Sequence, residues 1–224
     1  MNSLVVVKVG GSLALYPEKL RTLCTKLTKL SQKHKLIIVP GGGEFADVVR
    51  SLYTRFSMSC GVSHKMAILG MDQYGLLLSD LIPNSAVVSK LEEIKCIFKM
   101  GKLPVFLPHN LLLNDDQLEN SWNVTSDTIA LYIAIKLRTN KVLLITDVDG
   151  IFSDDPKTHP EARFIERLSA YELLAMNKRT AVDETLPKLI IKSHITCVVA
   201  NGLFPERVEA ILDNQPTVYT LIVS

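Results

Sequence analysis

The sequence predicts an α/β fold, a three-layer αβα sandwich in which helices cover both faces of a mainly parallel β-sheet. Three observations lead to this fold class. Short apolar runs rich in β-branched residues alternate with longer amphipathic segments. Most of the short runs lack polar alternation, as expected for strands buried on both faces. Alternation of strands and helices implies crossover connections that return each strand to the same sheet.

Each predicted element rests on its own pattern. Seven short runs are predicted as strands, at residues 4–9, 36–39, 86–88, 104–107, 142–146, 197–200 and 218–223. Seven longer segments are predicted as helices, at residues 17–33, 44–55, 63–81, 125–137, 170–176, 186–193 and 205–212. The first helix is typical, since Pro17 stands at its start and leucines recur along one stripe.

The composition excludes several classes of partner. The chain has 25 Lys and Arg against 23 Asp and Glu, without a basic run of five residues, which argues against a nucleic-acid surface. No apolar stretch reaches the ~20 residues that span a bilayer, and the first residues lack a signal-peptide pattern. The cysteines and histidines lack the spacing of a metal site. We therefore expect a soluble cytoplasmic protein, and this charge balance is compatible with a site for one small anion.

The first predicted strand runs into the motif Lys8-Val9-Gly10-Gly11-Ser12. Lys8 interrupts an apolar run, where a lysine is costly unless a negative group lies opposite it. The two glycines expose backbone N–H groups that can bind an anion. On its own, this motif fits a phosphate site and a simple strand-end turn equally well.

The second predicted strand also ends in glycines, Gly41-Gly42-Gly43, and a predicted helix follows at once. Bare backbone can approach a ligand closely, and the N-terminus of a helix attracts anions. The spacing matches neither the dinucleotide-binding fingerprint nor the P-loop. Parallel strands bring their carboxyl ends to one edge of a sheet, where ligands of open α/β folds bind. The two glycine turns are therefore expected to meet at one site.

A third motif follows the strand predicted at residues 142–146. Residues 143–156 read Leu-Leu-Ile-Thr-Asp-Val-Asp-Gly-Ile-Phe-Ser-Asp-Asp-Pro, a buried strand followed by a glycine turn and an acidic loop. A solvated surface turn is the alternative interpretation, because turns rich in Asp and Gly are common after strands.

Together with Asn123-x-x-x-Asp127, these motifs resemble the amino acid kinase superfamily, which includes acetylglutamate, aspartate, uridylate and isopentenyl phosphate kinases. The resemblance covers essentially the whole chain. Residues 40–50 and 63–75 are most similar to the branch that phosphorylates an aminomethylfuranyl-methyl phosphate in methanofuran biosynthesis. Glu44 stands where isopentenyl phosphate kinases usually carry a histidine, and residues 182–188 replace the Gly-Gly-Met-x-x-Lys segment of acetylglutamate kinases.

The resemblance implies an ATP-dependent kinase and assigns roles to named residues. Lys8 and Lys188 would neutralise charge on the transferred phosphoryl group, and Asp127 would orient them. The implied nucleotide-binding residues are Gly10, Gly11, Ser12, Thr146, Asp147, Asp149, Gly150 and Phe152. The implied substrate-binding residues are Gly41, Gly42, Gly43, His64, Asp72 and Asn123. His64 fits a structural role equally well, and Arg179 fits either a nucleotide contact or plain surface.

The resemblance also implies an organisation and a cofactor. Residues 1–224 are expected to form a single domain, with an acceptor-binding half at about 1–120 and a nucleotide-binding half at about 121–224. The polar segment 114–122 would form a loop or hairpin between them. Mg²⁺ would be held mainly by the ATP phosphates rather than by a protein metal site. A homo-oligomer is expected, because homodimers are common in the family.

Three alternatives to this acceptor and this activity stay open. The first is the same reaction with another small phosphate or carboxylate as acceptor, such as isopentenyl phosphate, UMP or an amino acid. A storage or sensing protein without turnover is the second, although it would not need Lys8, Asp127 and the glycine turns together. A nicotinamide-dependent dehydrogenase is the most remote, because its spaced glycine fingerprint is missing.

Overall fold

The computed structural model describes residues 4–113, 117–156, 158–177 and 180–224. The strands within these ranges are β1 (Val5–Val9), β2 (Leu36–Pro40), β3 (Ser85–Val88), β4 (Leu103–Phe106), β5 (Lys141–Thr146), β6 (Ile151–Phe152), β7 (Phe164–Ile165), β8 (Arg167–Ser169), β9 (Thr196–Asn201) and β10 (Thr220–Val223). The helices are α1 (Pro17–Leu30), α2 (Gly43–Phe56), α3 (Cys60–Leu81), α4 (Ile94–Lys99), α5 (His109–Leu112), α6 (Ser126–Lys136), α7 (Ala170–Ala175), α8 (Leu186–Ser193) and α9 (Pro205–Leu212). Short 3₁₀ turns lie at Gly11–Leu15 and Leu91–Glu93.

All seven predicted strands and all seven predicted helices are present, with ends within about three residues of the expected ones. The sequence did not predict β6, β7, β8, α4 and α5. Each of these elements is only two to six residues long, so it shows too little of a repeating pattern to be recognised.

One mainly parallel sheet organises the molecule, as predicted. Its eight strands lie in the order β3-β4-β2-β1-β5-β9-β10-β8, and every pair is parallel except β9 with β10. The strands that precede residue 120 occupy one side of the sheet, those that follow it occupy the other, and β1 meets β5 at the centre. Strands β6 and β7 form a separate antiparallel ribbon.

Helices pack on both faces of this sheet, which confirms the three-layer sandwich. One apolar cluster joins Val6 of β1 to α6 and α8, and the other joins Val5, Val7 and Val9 to α1 and α9. Because side chains alternate along a strand, Lys8 shares the face of Val6 and is directed towards α6. The fold therefore brings a lysine to the helix that begins with Asp127.

Two further expectations concern connecting segments. Residues 117–122 of the predicted loop form turns without a helix or strand, and residues 114–116 lie outside the described part of the chain. Arg179, a candidate for nucleotide contact, also lies outside it. Among the described residues, no helix is both long enough and apolar enough to span a membrane.

Candidate active site

The two glycine turns meet at one edge of the sheet, as predicted. Strands β1 and β2 are adjacent and parallel, with Val9 level with Pro40, so both chains leave the sheet at the same height. A Cβ on Gly11 would lie only 2.0 Å from the backbone nitrogen of Gly43, which itself has a φ of +55°. Only glycine tolerates both the contact and that backbone conformation. The result is a surface of bare backbone that leads into the N-terminus of α2.

A buried ion pair lies beneath this surface. The Lys8 ammonium is 2.7 Å from the Asp127 carboxylate, and the two residues are only 7% and 6% exposed. Asp127 stands in the first turn of α6, so the pair joins the end of β1 to the start of that helix. The carboxylate provides the negative group that makes a buried lysine tolerable. It also fixes the direction of the ammonium towards the glycine turns.

The glycine turns, the ion pair and α3 enclose a cavity of about 350 Å³. Eight of the residues assigned from the sequence line it: Lys8, Gly10, Gly11, Ser12, Gly42, Gly43, His64 and Asp127. A buried cation, bare N–H groups and the positive end of a helix together make this cavity suited to phosphate groups.

The nucleotide-binding candidates that follow β5 do not line this cavity, but hydrogen bonds connect them to it. Ser12 donates its hydroxyl proton to the Asp147 carboxylate over 2.9 Å, and Thr146 donates to the same oxygen over 3.3 Å. Gly150 packs against Thr220, at the start of β10. The loop after β5 is thus joined to the glycine turn after β1.

Asp149 is held by two residues that the sequence did not indicate. Its carboxylate accepts hydrogen bonds from the Asn201 amide over 2.8 Å and from the Arg207 guanidinium over 2.6 Å. The Arg207 guanidinium also lies over the ring of Phe204, 4.3 Å from its centre. Nearby, the Phe152 ring meets Phe164 edge-on in the β6–β7 ribbon. These contacts fix the loop against β9 and α9.

The remaining assigned residues lie outside the lining of the cavity, and their roles stay predictions. Lys188 is exposed on α8, beside a separate smaller cavity between α7 and α8. Gly41 is buried behind the glycine turns, where its amide donates to the Val9 carbonyl. Asn123 is exposed, although its neighbours on both sides line the cavity. The fourth, Asp72, forms an ion pair with the His109 imidazole and accepts from the His109 amide.

His64 lies on the cavity wall within α3 and is almost fully buried. Burial lowers its pKa below the ordinary value of 6.5, and a hydrogen bond to the backbone of Ser121 partly opposes this. Asp72 is affected in the opposite direction, since burial raises the pKa of its carboxyl group while His109 lowers it. His64 lines the cavity and Asp72 does not. Their separation of eight residues turns the helix about 80° beyond two full turns, so the two side chains point in different directions.

Trp122 forms an aromatic wall of the cavity that sequence reasoning missed. The Arg50 guanidinium lies 5.0 Å from the centre of its ring, and the ring of Tyr53 meets it edge-on at 5.8 Å. Arg50 is also 2.6 Å from the Asp47 carboxylate, and both residues line the cavity from α2. No local signal marked Trp122, because it follows a polar segment rather than a strand or helix pattern.

Asp183 is another residue that the sequence analysis missed, and it supports the site from behind. One carboxylate oxygen accepts from the Thr125 amide, the Thr125 hydroxyl and the Thr128 amide, over 2.9–3.0 Å. The other accepts from the Thr128 hydroxyl and from the amides of Thr185 and Leu186, over 2.6–3.1 Å. Burial and the nearby charge of Asp127 raise the pKa of Asp183. Asp183 thus caps the start of α6 and of α8 together, next to Asp127.

Comparison with known proteins agrees with this geometry. The model of the amino acid kinase family matches residues 3–201. The chain is 36% identical over 218 residues, which cover 97% of both proteins, to the [5-(aminomethyl)furan-3-yl]methyl phosphate kinase of Methanocaldococcus jannaschii. It is 27% identical to the uridylate kinase of Methanospirillum hungatei, over 97% of this chain and 94% of that one.

Solved structures show the same fold. The uridylate kinase of Archaeoglobus fulgidus superposes with a TM-score of 0.76 at 23% identity, over 99% of this chain and 100% of that one. The family match, the similarity over nearly the full length and the shared fold lead to one conclusion: the chain belongs to the amino acid kinase family and is a kinase.

Proposed function

We propose that this kinase transfers the γ-phosphoryl group of ATP to [5-(aminomethyl)furan-3-yl]methyl phosphate and forms the corresponding diphosphate. One observation carries the proposal: the glycine turns after β1 and β2 touch each other above the buried Lys8. Two phosphate groups, one on each turn, would therefore meet at a single ammonium. The identity of 36% to a kinase named for this acceptor supports the choice of acceptor.

In the proposed reaction, an oxygen of the acceptor phosphate attacks the γ-phosphorus of ATP. The bond between that phosphorus and the β–γ bridging oxygen breaks, and ADP leaves with that oxygen. A phosphate monoester is already ionised near neutral pH, so no general base is needed. Lys8 would neutralise charge on the transferred group, and Asp127 would hold the ammonium in place. Catalysis then depends on position and charge rather than on covalent participation of a side chain.

On the donor side, we propose that the N–H groups of Gly10, Gly11 and Ser12 hold the ATP phosphates. The loop of Thr146, Asp147, Asp149, Gly150 and Phe152 would contact the nucleoside. Apart from this shared turn after β1, we propose that residues at about 1–120 bind the acceptor and residues at about 121–224 bind the nucleotide, in keeping with the division of the sheet at β1 and β5. Mg²⁺ would be held mainly by the ATP phosphates, as is usual in sites that transfer phosphoryl groups.

We propose Lys188 as a second phosphate-binding cation. Its helix α8 begins at the residues that Asp183 joins to the start of α6, next to Asp127. Its exposed side chain would turn towards the transferred phosphoryl group when ATP is bound. Asp72 and Asn123 remain proposed substrate contacts. Neither lines the cavity, so both side chains would have to move to reach an acceptor.

The test is product formation from Mg-ATP with a panel of acceptors: the furan phosphate, isopentenyl phosphate, UMP, aspartate and N-acetylglutamate. Phosphorus NMR distinguishes a new diphosphate from phosphorylation elsewhere on the acceptor. We expect a diphosphate from the furan phosphate and its loss in Lys8→Met. Lys26→Met is the matched control, because Lys26 pairs with Glu209 at a distant surface site. Turnover of another acceptor alone would replace the substrate, and ATP binding without turnover would favour storage or sensing.

We also propose that the protein assembles with copies of itself. Val62, Leu69 and Leu76 recur every seven residues on α3 and are 53%, 46% and 54% exposed. This spacing places three apolar side chains on one face of the helix, where a second copy of α3 could cover them. Light scattering should give the mass of a dimer or a larger assembly for the wild-type protein. The double variant Leu69→Glu/Leu76→Glu should have a lower mass in solution. A monomeric wild-type protein would contradict this assembly.

A further inference from the structure

The charges that line the active-site cavity do not balance. Lys8 pairs with Asp127, and Arg50 pairs with Asp47. Glu44 also lines the cavity, is exposed, and has no cationic partner among the described residues. Burial lowers the pKa of His64 and so disfavours a positive charge there. A cavity that would receive two phosphate-bearing molecules therefore carries one uncompensated negative charge.

We infer that Glu44 binds a cationic group of the acceptor and so selects an acceptor that carries both an ammonium and a phosphate. This inference rests on the proposed function, since it deepens the choice of acceptor for that same site. A primary aminomethyl group is protonated at neutral pH. An acceptor without such a group would bring its phosphate towards an unpaired carboxylate and gain nothing in return.

The position of Glu44 fits this role. Gly42 and Gly43, which precede it directly, form the turn where the acceptor phosphate is proposed to lie, and all three line the same cavity. Trp122 forms a flat wall of that cavity and its buried indole N–H has no hydrogen-bond partner in the described structure. An acceptor with a phosphate at one end, a flat ring and an ammonium at the other can satisfy the turn, the wall and Glu44 together.

A carboxylate in the first turn of a helix also has a simpler use, because it offsets the helix dipole. Glu18 provides the matched control for this effect. It is the second residue of α1, as Glu44 is of α2, and both helices have 14 residues. Glu18 is exposed and does not line the active-site cavity. Glu44→Gln and Glu18→Gln thus remove equivalent helix charges at two different places.

The experiment compares two acceptors on three proteins: the furan phosphate with its aminomethyl group, and the same compound with a methyl group instead. We expect Glu44→Gln to lower kcat/KM for the amine-bearing acceptor about tenfold or more, mainly through KM, because Glu44 contacts the ammonium and not the transferred phosphoryl group. The methyl compound should be used at least as well by Glu44→Gln as by wild type, because its phosphate no longer approaches an unpaired carboxylate. Glu18→Gln should match wild type on both acceptors.

Two results would overturn the inference while leaving the kinase in place. Equal losses of kcat/KM on both acceptors would mean that Glu44 acts by stabilising the helix or by contacting the metal or ATP. An unchanged preference for the amine in Glu44→Gln would place recognition of the ammonium elsewhere. If wild type uses UMP and neither furan compound, the proposed function itself fails, and this inference with it. The acceptor panel distinguishes that outcome from the other two.

Discussion

Lys8 and Asp127 face each other across 2.7 Å in the interior of the protein, one at the end of a strand and the other at the start of a helix. Two buried charges so close depend on each other, because either one alone would have to be desolvated without compensation. The same pair lines the cavity that is open to ligands. Its contributions to folding and to activity can therefore be separated by substitution.

Replacing one partner of this pair should be more harmful to the fold than replacing both. We expect Asp127→Leu or Lys8→Met to lower the free energy of unfolding by about 3–5 kcal/mol, because each leaves a buried charge unpaired. The double variant should recover most of this loss but none of the kinase activity. Urea unfolding and ADP release measure the two effects. Additive losses in the double variant would contradict the coupling.

Asp183 should matter for both stability and turnover, although it does not line the cavity. Asp183→Ala removes an acceptor from six hydrogen bonds at the starts of α6 and α8. We expect a loss of about 2–4 kcal/mol in the free energy of unfolding, together with a lower kcat, since Asp127 stands between Thr125 and Thr128.

The adjacent exposed residue provides the control for Asp183. Glu184→Ala changes a neighbouring carboxylate with no hydrogen bond to α6 in the described structure, and it should leave unfolding within about 0.5 kcal/mol of wild type. Equal stability of Asp183→Ala and Glu184→Ala would mean that the two helix ends do not depend on Asp183.

The parts of the site that the sequence predicted depend on local order along the chain. Two apolar runs that each end in glycine predict two parallel strands, and parallel strands place Gly11 and Gly43 at one edge without further information. Lys8 was recognisable because a charge within an apolar strand requires a partner. The identity of that partner came from the resemblance alone, since Asp127 lies far along the chain.

The parts that were missed depend on contacts between distant segments. Asp183 stands three residues before the start of α8, so its capping of that helix had a local signal in the sequence. Its capping of α6, which begins more than fifty residues earlier, had none. Trp122 reaches the cavity from an irregular segment, where no repeating pattern indicates which side chains turn inward. The sequence analysis assigned the adjacent residue, Asn123, to the site instead of Trp122.

Gly11→Ala should separate the two glycine turns that are proposed to bind phosphate. The added Cβ would lie 2.0 Å from the backbone nitrogen of Gly43, and this clash is relieved only if one of the two turns moves. Because displacements of about 1 Å can cost about 100-fold in rate, we expect a loss of that order in kcat/KM for both ATP and the acceptor.

The control for Gly11 is Gly61→Ala in the first turn of α3, where an added Cβ meets nothing within 4 Å. That variant should be fully active and about 0.5–1 kcal/mol more stable, because alanine favours a helix more than glycine does. Steady-state kinetics and thermal unfolding test both variants. Full activity of Gly11→Ala would show that the turns do not need their close contact.

His64 should make the stability of the protein depend on pH in the acid range. Burial lowers the pKa of His64 in the folded state, whereas the unfolded chain binds a proton near the ordinary value of 6.5. As the pH falls through 6.5, the unfolded state takes up a proton that the folded state does not, so the free energy of unfolding decreases. The slope from this residue reaches at most about 1.4 kcal/mol per pH unit, down to the lowered pKa.

His64→Gln should remove this dependence while leaving the other titrating groups in place. We therefore expect the difference in stability between wild type and His64→Gln to be constant above pH 7 and to shift in favour of the variant below pH 6.5. Urea unfolding at pH 8, 7, 6 and 5.5 provides the comparison. Parallel curves over this range would mean that His64 is protonated equally in the folded and unfolded states, which its burial beside the cavity argues against.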